Sequence, residues 1–181
     1  MKSIRTLLVL VASALMSATF FVASAHACSY AKGEQVFSAY GDPRSYVLFP
    51  GGDFAGGGAG WTLEGGAAVV SGSLSLPAGS SAVSPSICVS KDTPFLRSMA
   101  RDSGVPGAKL QVEIVYEELD TTRSRVVARD KSEDWDPTQP LGQNFGSATL
   151  GGSDSSVHVQ ITAVGGDWLV DDLYVDPFAR Y

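Results

Sequence analysis

The segment GGDWLVDDLYVDP, residues 165–177, places two aspartates inside an apolar run that has the composition of a β-strand. Trp168 and Val170 alternate with period two, and so do Leu173 and Val175, but the second pair is one residue out of phase with the first. Successive side chains of a strand point to opposite faces, so an unbroken strand would turn one pair into solvent. A β-bulge at Asp171-Asp172 restores the phase. The sequence therefore predicts a bulged strand with both apolar pairs in the core.

Three further segments alternate apolar and polar residues: 94–101, 109–118 and 156–164. Alternation over this length is typical of strands with one buried and one wet face, which antiparallel sheets tolerate. Shorter apolar runs, among them VFSAY at 36–40, are separated by Gly, Ser and Pro, and no strong helical pattern is present. We therefore predict an all-β fold, an antiparallel β-sandwich. The residues expected to face its core from the last two segments are Leu110, Val112, Ile114, Tyr116, Val157, Val159, Ile161 and Ala163.

The first 27 residues have the three parts of a secretory signal peptide. Two cations precede a long apolar run, and the run ends in the small-residue cleavage box Ala25-His26-Ala27. We expect residues 1–27 to be removed, residues 28–181 to form one domain, and the mature protein to be extracellular. Lipid attachment at Cys28 is a weaker alternative, because the residues before it depart from a lipoprotein box. No other segment is long and apolar enough to span a membrane.

Charge and cysteine content narrow the partners and the compartment. The chain has a net charge of −6 and no stripe of basic residues, so we do not expect it to bind nucleic acid. The two cysteines, Cys28 and Cys88, are predicted to form one disulfide in an exported protein. Such a bridge would contribute roughly 3–5 kcal/mol by restricting the unfolded chain. Two free thiols are the alternative.

Three stretches carry a resemblance to a known family. LFPGGDFAGGGAGWTLEGGAAVV (48–70) resembles the opening of jelly-roll carbohydrate-binding modules of the galactose-binding-like superfamily, with Gly51-Gly52-Asp53-Phe54 and Gly60-Trp61 at the matching positions. PFLRSMARDSG and LQVEIVYEE are similar to the central strands of that family, and WLVDDLYVDP (168–177) to its last strand. The chain also resembles small secreted bacterial proteins of unassigned function that carry this fold as their only domain. A fold shared with sugar binders does not by itself establish sugar binding.

The resemblance implies one structural calcium between the N-terminal Gly-x-Phe segment and the last strand. Calcium takes six to eight oxygen ligands, and Asp53, Asp171 and Asp172 are the candidate carboxylates. The chain departs from the family at Ala55, where a glutamate often stands, so one ligand is missing. In the alternative interpretation these acids cap backbone amides and pair with nearby Arg or Lys.

The polar faces of the predicted strands are the candidate sugar-binding floor, because their side chains are of types that hydrogen-bond to sugar hydroxyl groups. A sugar platform also needs aromatic faces, and none falls on these strand faces by register. Trp135 is the candidate aromatic contact, and Tyr40 and Tyr46 join it if binding occurs at loop tips. A simple solvated sheet face is the alternative. The predicted floor residues are Arg97, Arg101, Gln111, Glu113, His158 and Gln160.

Catalysis finds little support in the sequence. No metalloprotease, serine-hydrolase or P-loop motif is present, and the acid pairs at 117–118 and 134–136 are typical of surface turns. We therefore expect that the protein is not an enzyme. Two functions remain: a secreted binding module for carbohydrate or a cell-surface polymer, and a structural or protein-interaction domain of the cell envelope without a sugar site.

Overall fold

The computed structural model describes residues 30–90, 95–116, 121–129, 134–142 and 154–176. Apart from one 3-10 turn at Ser38–Tyr40, the regular elements in these ranges are strands. None of the described residues forms a helix long and apolar enough to cross a membrane. The strands are β1 (Val47–Leu48), β2 (Thr62–Glu64), β3 (Ala68–Val70), β4 (Ser73–Leu76), β5 (Ser81–Val83), β6 (Ile87–Ser90), β7 (Phe95–Asp102), β8 (Lys109–Tyr116), β9 (Thr121–Arg129), β10 (Asp136–Pro137), β11 (Leu141–Gly142), β12 (Asp154–Val164) and β13 (Trp168–Asp176).

The strands form two antiparallel sheets packed face to face. The first sheet has the order β10-β7-β13-β4-β3, with β11 also on β7 and β1 also on β13. The second has the order β2-β5-β12-β8-β9, with β6 also on β12. The predicted antiparallel β-sandwich is confirmed.

The core lies between the two sheets and consists largely of the apolar residues of the alternating strands. All the residues that the sequence predicts to face inward from β8 and β12 are buried. On the first sheet, Leu96 and Ala100 of β7 face the same interior, and Leu74 and Leu76 of β4 are fully buried. Each strand therefore leaves its intervening residues on an outer face of the sandwich.

The predicted bulge in β13 is confirmed. The pairing of β13 with β7 shifts register between Asp171 and Tyr174, and Asp172 takes a left-handed backbone conformation with φ of 50°. The four apolar residues that flank this point are all at most 2% exposed: Trp168, Val170, Leu173 and Val175.

The first and last parts of the described sandwich lie side by side, as expected from the resemblance. Phe49 N–H donates to the Leu173 carbonyl, and Leu173 N–H donates to the Gly52 carbonyl, each at 2.9 Å. The approach is so close that a Cβ on Gly52 would lie 2.5 Å from the Leu173 oxygen. Phe54 is fully buried against Trp61, with ring centroids 5.1 Å apart. This contact places the Asp53 segment next to the bulge.

Residues 34–46, here called the N-terminal strap, cross the outer face of the first sheet. Glu34 and Tyr46 pair through two backbone hydrogen bonds of 2.8 Å. The prediction of a strand at 36–40 is wrong: the chain turns there, and Gly41, at φ of 78°, ends the 3-10 turn. The turn buries Phe37, whose ring meets those of Tyr46 and Tyr174 edge-on. Burial of this ring favours the turn over an extended strand.

Candidate functional site

Four of the predicted floor residues come together on the outer face of the second sheet, here called the polar face. Gln111 and Glu113 lie on β8, and His158 and Gln160 lie on the adjacent β12. All four are partly exposed. The residues next to them in each strand face the core, and successive side chains of a strand point to opposite faces. Gln160 is the direct cross-strand partner of Glu113. This arrangement gathers two amides, one carboxylate and one imidazole on one patch.

Local hydrogen bonds orient the polar face. The Gln111 amide nitrogen donates to the Glu113 carboxylate at 3.3 Å. His158 Nδ1 lies 2.9 Å from the Ser84 carbonyl. Since a carbonyl only accepts, Nδ1 is the donor in this contact. Ser84 was not found by sequence reasoning, because it lies 74 residues from the histidine.

The polar face is a hydrogen-bonding surface without aromatic stacking groups among its described strand residues. Thr162 faces Gln111 across β12 and β8, and Ser81 faces Thr162 across β5 and β12. Half-buried amides and hydroxyls in adjacent rows suit hydroxyl recognition, since each can donate or accept. The sequence predicts no aromatic residue on these strand faces, and none lies there among the described residues; Tyr116 of β8 faces the core.

Arg97 does not belong to the polar face, and its predicted place in the floor is wrong. It lies on β7 of the first sheet and is 8% exposed beneath the N-terminal strap. Its guanidinium donates to Asp42 Oδ2 at 2.7 Å and to the Thr138 carbonyl at 2.8 Å, and it lies 4.8 Å from the Phe37 ring centre. The alternation correctly predicts that Arg97 points away from the core. It is buried nevertheless, because the N-terminal strap covers this part of the outer face.

Asp42 is the centre of this buried cluster. Burial by itself would raise the pKa of Asp42, but hydrogen bonds from Tyr46, Arg44 and Arg97 outweigh it and hold the pKa below the usual carboxyl value. Burial and the neighbouring Asp42 carboxylate raise the pKa of Tyr46 well above its ordinary value. Tyr46 is 1% exposed, so its predicted role at a loop tip is wrong. The cluster fastens the strap to the first sheet.

Trp135 and Arg101 also lie apart from the polar face. Trp135 immediately precedes β10, which pairs with β7 of the first sheet, and the Arg101 guanidinium carbon is 5.2 Å from the centre of its ring. The predicted single floor is therefore divided between opposite outer faces of the sandwich. Tyr40, at 50% exposure, is the most open of the three candidate loop aromatics.

The three predicted metal-binding acids lie near one another. Burial, and then the charges of Asp171 and Asp53, raise the pKa of Asp172. Asp171 accepts hydrogen bonds from the Ser73 hydroxyl at 3.0 Å and from the Asp172 amide at 2.8 Å, and Asp53 accepts from the Ala55 amide at 3.3 Å. Amide capping, the alternative interpretation, therefore describes Asp53 and Asp171.

The oxygen atoms of these three aspartates are of the type that calcium binds, but they are too few to complete its coordination. All the donors are oxygens, which calcium prefers. Within the described ranges, however, no three His, Cys, Asp or Glu side chains are grouped so as to hold a metal ion. A calcium here would take most of its ligands from backbone carbonyls.

The predicted disulfide involves Cys28, which lies outside the described residues together with the whole predicted signal peptide. Cys88 lies on β6, and its carbonyl accepts a hydrogen bond from the Tyr30 hydroxyl. Tyr30 follows Cys28 by two residues. The bridge stays a prediction.

Comparison with known proteins identifies the fold. No protein-family model matches the chain, and no curated protein matches it. A family 61 carbohydrate-binding module, TmCBM61, solved with β-1,4-galactotriose, is similar with a TM-score of 0.50 and 15% identity over 72% of this chain and 97% of that one. The xylan-binding module CBM15 is similar with a TM-score of 0.51 and 15% identity over 73% of this chain and 95% of that one. At such low identity the likeness establishes the β-sandwich fold of carbohydrate-binding modules and nothing finer.

Proposed function

We propose that the chain is an extracellular, non-catalytic module that binds carbohydrate on its polar face. The observation that carries the proposal is the convergence of Gln111, Glu113, His158 and Gln160 on adjacent strands of one sheet. The fold supports it, because the similar modules are a xylan-binding one and one solved with a galactose oligomer. A preformed sheet face gives weak binding at little cost in ordering, since its side chains are already half-buried.

The chemistry of the polar face sets the expected substrate class. Amide, carboxylate and imidazole groups at this face fix hydroxyls through directed hydrogen bonds. With no aromatic side chain among the described strand residues of the face, stacking contributes little there. We therefore propose a hydroxyl-rich, uncharged polysaccharide as the ligand of this face.

The experiment is a binding survey of the purified protein on neutral polysaccharides, including xylan and β-1,4-galactan, by affinity electrophoresis and calorimetry. Glu113→Ala and Gln160→Ala should each weaken binding about tenfold, the value of one lost hydrogen bond of about 1.4 kcal/mol. Val70→Ala, on the exposed edge of the first sheet, is the matched control and should bind as the parent does. Folded protein that binds no glycan would favour the alternative, a structural or interaction domain of the cell envelope.

We propose in addition that one calcium ion is bound beside the bulge of β13. Burial is the main cause of the raised pKa of Asp172, and the negative charges of Asp171 and Asp53 add to it; a cation would relieve this repulsion. The close approach of the Gly52 segment to Leu173 brings backbone carbonyls to the same place.

A further inference from the structure

A groove and a projecting side chain lie on the same outer face of the first sheet. The groove is at one end of that face and has a volume of about 430 Å³, within the range of pockets that hold a small group. We call it the Arg101 groove. At the other end the N-terminal strap crosses the face and carries Tyr40, which is 50% exposed. Arg97, beneath the strap, is four residues from Arg101 on β7, so the strap and the groove lie roughly 13 Å apart along this strand.

Sheet register assembles the floor of the Arg101 groove. Leu169 of β13 is the direct partner of Ser75 on β4 and of Arg101 on β7. Side chains of direct partners lie on the same face, so a hydroxyl, an aliphatic group and a guanidinium form one row across three strands. Ser103 and Asp167, which adjoin the ends of β7 and β13, complete the lining used here. The groove therefore has an aliphatic and cationic floor with a polar rim.

The N-terminal strap holds Tyr40 in a fixed position. Phe37, on one side of the 3-10 turn, is 2% exposed, and Asp42, on the other side, pairs with Arg97 at 2.7 Å. Gly41 ends the turn in a left-handed conformation directly after Tyr40. An aromatic side chain on a turn that is anchored at both ends loses little conformational freedom when it binds. The strap therefore presents Tyr40 ready for a contact.

The chemistry of the groove suits a tyrosine side chain. The Arg101 guanidinium carbon lies 5.2 Å from the centre of the Trp135 ring, so this cation is placed where it can also contact a second aromatic face. Leu169 offers an apolar surface, and the hydroxyls of Ser75 and Ser103 can each donate to or accept from a phenolic hydroxyl. A tyrosine has an apolar ring and a polar tip, which match the floor and the rim.

We propose that this face of the first sheet is an interface between two copies of the chain, in which Tyr40 of each copy enters the Arg101 groove of the other. A two-fold axis that runs across the strands brings the same face of both copies together and exchanges its two ends. A projection at one end then meets a groove at the other end, and the contact is made twice. Both halves of the contact are present on this chain, so a second copy supplies all that the groove needs.

The residues between the strap and the groove agree with such an axis. Met99 lies midway between Arg97 and Arg101 on β7, and its unbranched side chain adapts readily to a contact with its own symmetry mate. Leu48, which is 39% exposed, is the direct partner of Tyr174 and adds apolar surface on the same face beside the strap. Apolar groups at the centre of a contact are typical of interfaces between identical chains.

The paired molecules keep the polar face accessible, because that face belongs to the other sheet. A dimer of this kind would carry two polar faces that point away from each other. The inference does not rest on the proposed function, since it involves neither the polar face nor a sugar.

The test is sedimentation equilibrium of the purified protein over a wide concentration range, without sugar, with circular dichroism to verify folding. The parent should dimerise reversibly. Tyr40→Ala removes the projection and Ser75→Tyr fills the groove, and each should raise the dissociation constant of the dimer by about tenfold or more. Tyrosine suits a strand, and Tyr40 is exposed, so both variants should fold. Val164→Ala shortens an exposed apolar side chain on the second sheet and is the matched control, which should dimerise as the parent does.

A mixture of the two variants separates this interface from any other. The Tyr40→Ala chain keeps its groove and the Ser75→Tyr chain keeps its projection, so a mixed pair restores one of the two contacts. Native mass spectrometry should therefore find the mixed dimer in excess of either variant's own dimer.

A parent that stays monomeric at every concentration would overturn the inference and leave the proposed function intact, whereas a dimer that binds no glycan would do the reverse. A dimer that survives both substitutions, or a mixture without preference for the mixed pair, would overturn the inference as well. Weaker binding of xylotriose by a monomeric Tyr40→Ala protein than by a monomeric parent would assign Tyr40 to a glycan and overturn its role between copies.

Discussion

Replacement of Asp42 by Asn tests whether the buried ion pair fastens the N-terminal strap to the sandwich. The Asp42 carboxylate receives the Arg97 guanidinium at 2.7 Å, the Tyr46 hydroxyl at 2.8 Å and the Arg44 guanidinium at 2.9 Å. The side chains of Asp42 and Arg97 are only 4% and 9% exposed. Asn keeps the size of the side chain and removes its charge, so Arg97 stays buried without a counter-charge.

The expected loss can be apportioned among the three contacts. Removing one partner of a buried ion pair costs about 3–5 kcal/mol, because the other charge is left unpaired. Arg44 is 29% exposed, so its share is below about 1 kcal/mol. The Asn side chain still offers one oxygen that can accept the hydrogen bond from Tyr46. We therefore expect the free energy of unfolding to fall by about 3 kcal/mol, the lower end of that range. For a protein of this size that corresponds to a fall in Tm of about 6–12 °C.

Urea unfolding at pH 7, followed by circular dichroism, measures this loss. Glu64→Gln, at an exposed carboxylate on β2, is the control and should change stability by less than about 0.5 kcal/mol. Arg97→Met and the double variant complete a cycle that isolates the pair. An Asp42→Asn protein within 1 kcal/mol of the parent, or a cycle without coupling, would refute the role of the pair.

The same variant predicts a pH dependence. The folded-state pKa of Asp42 lies below the unfolded value of 3.8, so its contribution is fully present above that value and is lost as pH falls through the folded-state pKa. The stability difference between parent and Asp42→Asn should therefore be constant near neutral pH and shrink in acid. A difference that grows in acid would contradict the assignment.

Three further perturbations test other parts of the structure. Gly52→Ala places a Cβ 2.5 Å from the Leu173 oxygen and should cost about 1–3 kcal/mol in urea unfolding; a loss below 0.5 kcal/mol would contradict the close approach. Calcium should raise the Tm of the parent but not of Asp172→Asn, and a parent Tm indifferent to both calcium and chelator would remove the metal proposal. Cys28→Ser and Cys88→Ser should each lower stability by roughly 3–5 kcal/mol, and thiol titration that finds two free cysteines in the purified protein would disprove the disulfide.

Much of the fold could be predicted because its signal is local. The phase break between Val170 and Leu173 predicts a bulge, since the backbone has few other ways to turn both residues inward. The alternation in β8 and β12 likewise predicts which side chains are buried. The exception at 36–40 has a physical reason: a short run carries little periodic signal, and tertiary burial of Phe37 decides its conformation.

The candidate site was predicted only in part. Gln111, Glu113, His158 and Gln160 share a face because β8 and β12 are neighbours, and their polar residues fall at matching positions. Alternation alone cannot tell one outer face from the other. The predicted floor therefore merged residues that belong to two sheets.

The sequence alone determined which residues of the long alternating strands point inward and where the last strand bulges, because both follow from the fixed period of two. Only the tertiary structure decided that Arg97 meets Asp42, 55 residues away, and that Arg101, Leu169 and Ser75 form one row across three strands. Strand order and the path of the strap set those contacts. Neither can be read from the local sequence pattern. Alternation shows that a side chain points outward, but it does not show whether solvent, the strap or a ligand contacts it.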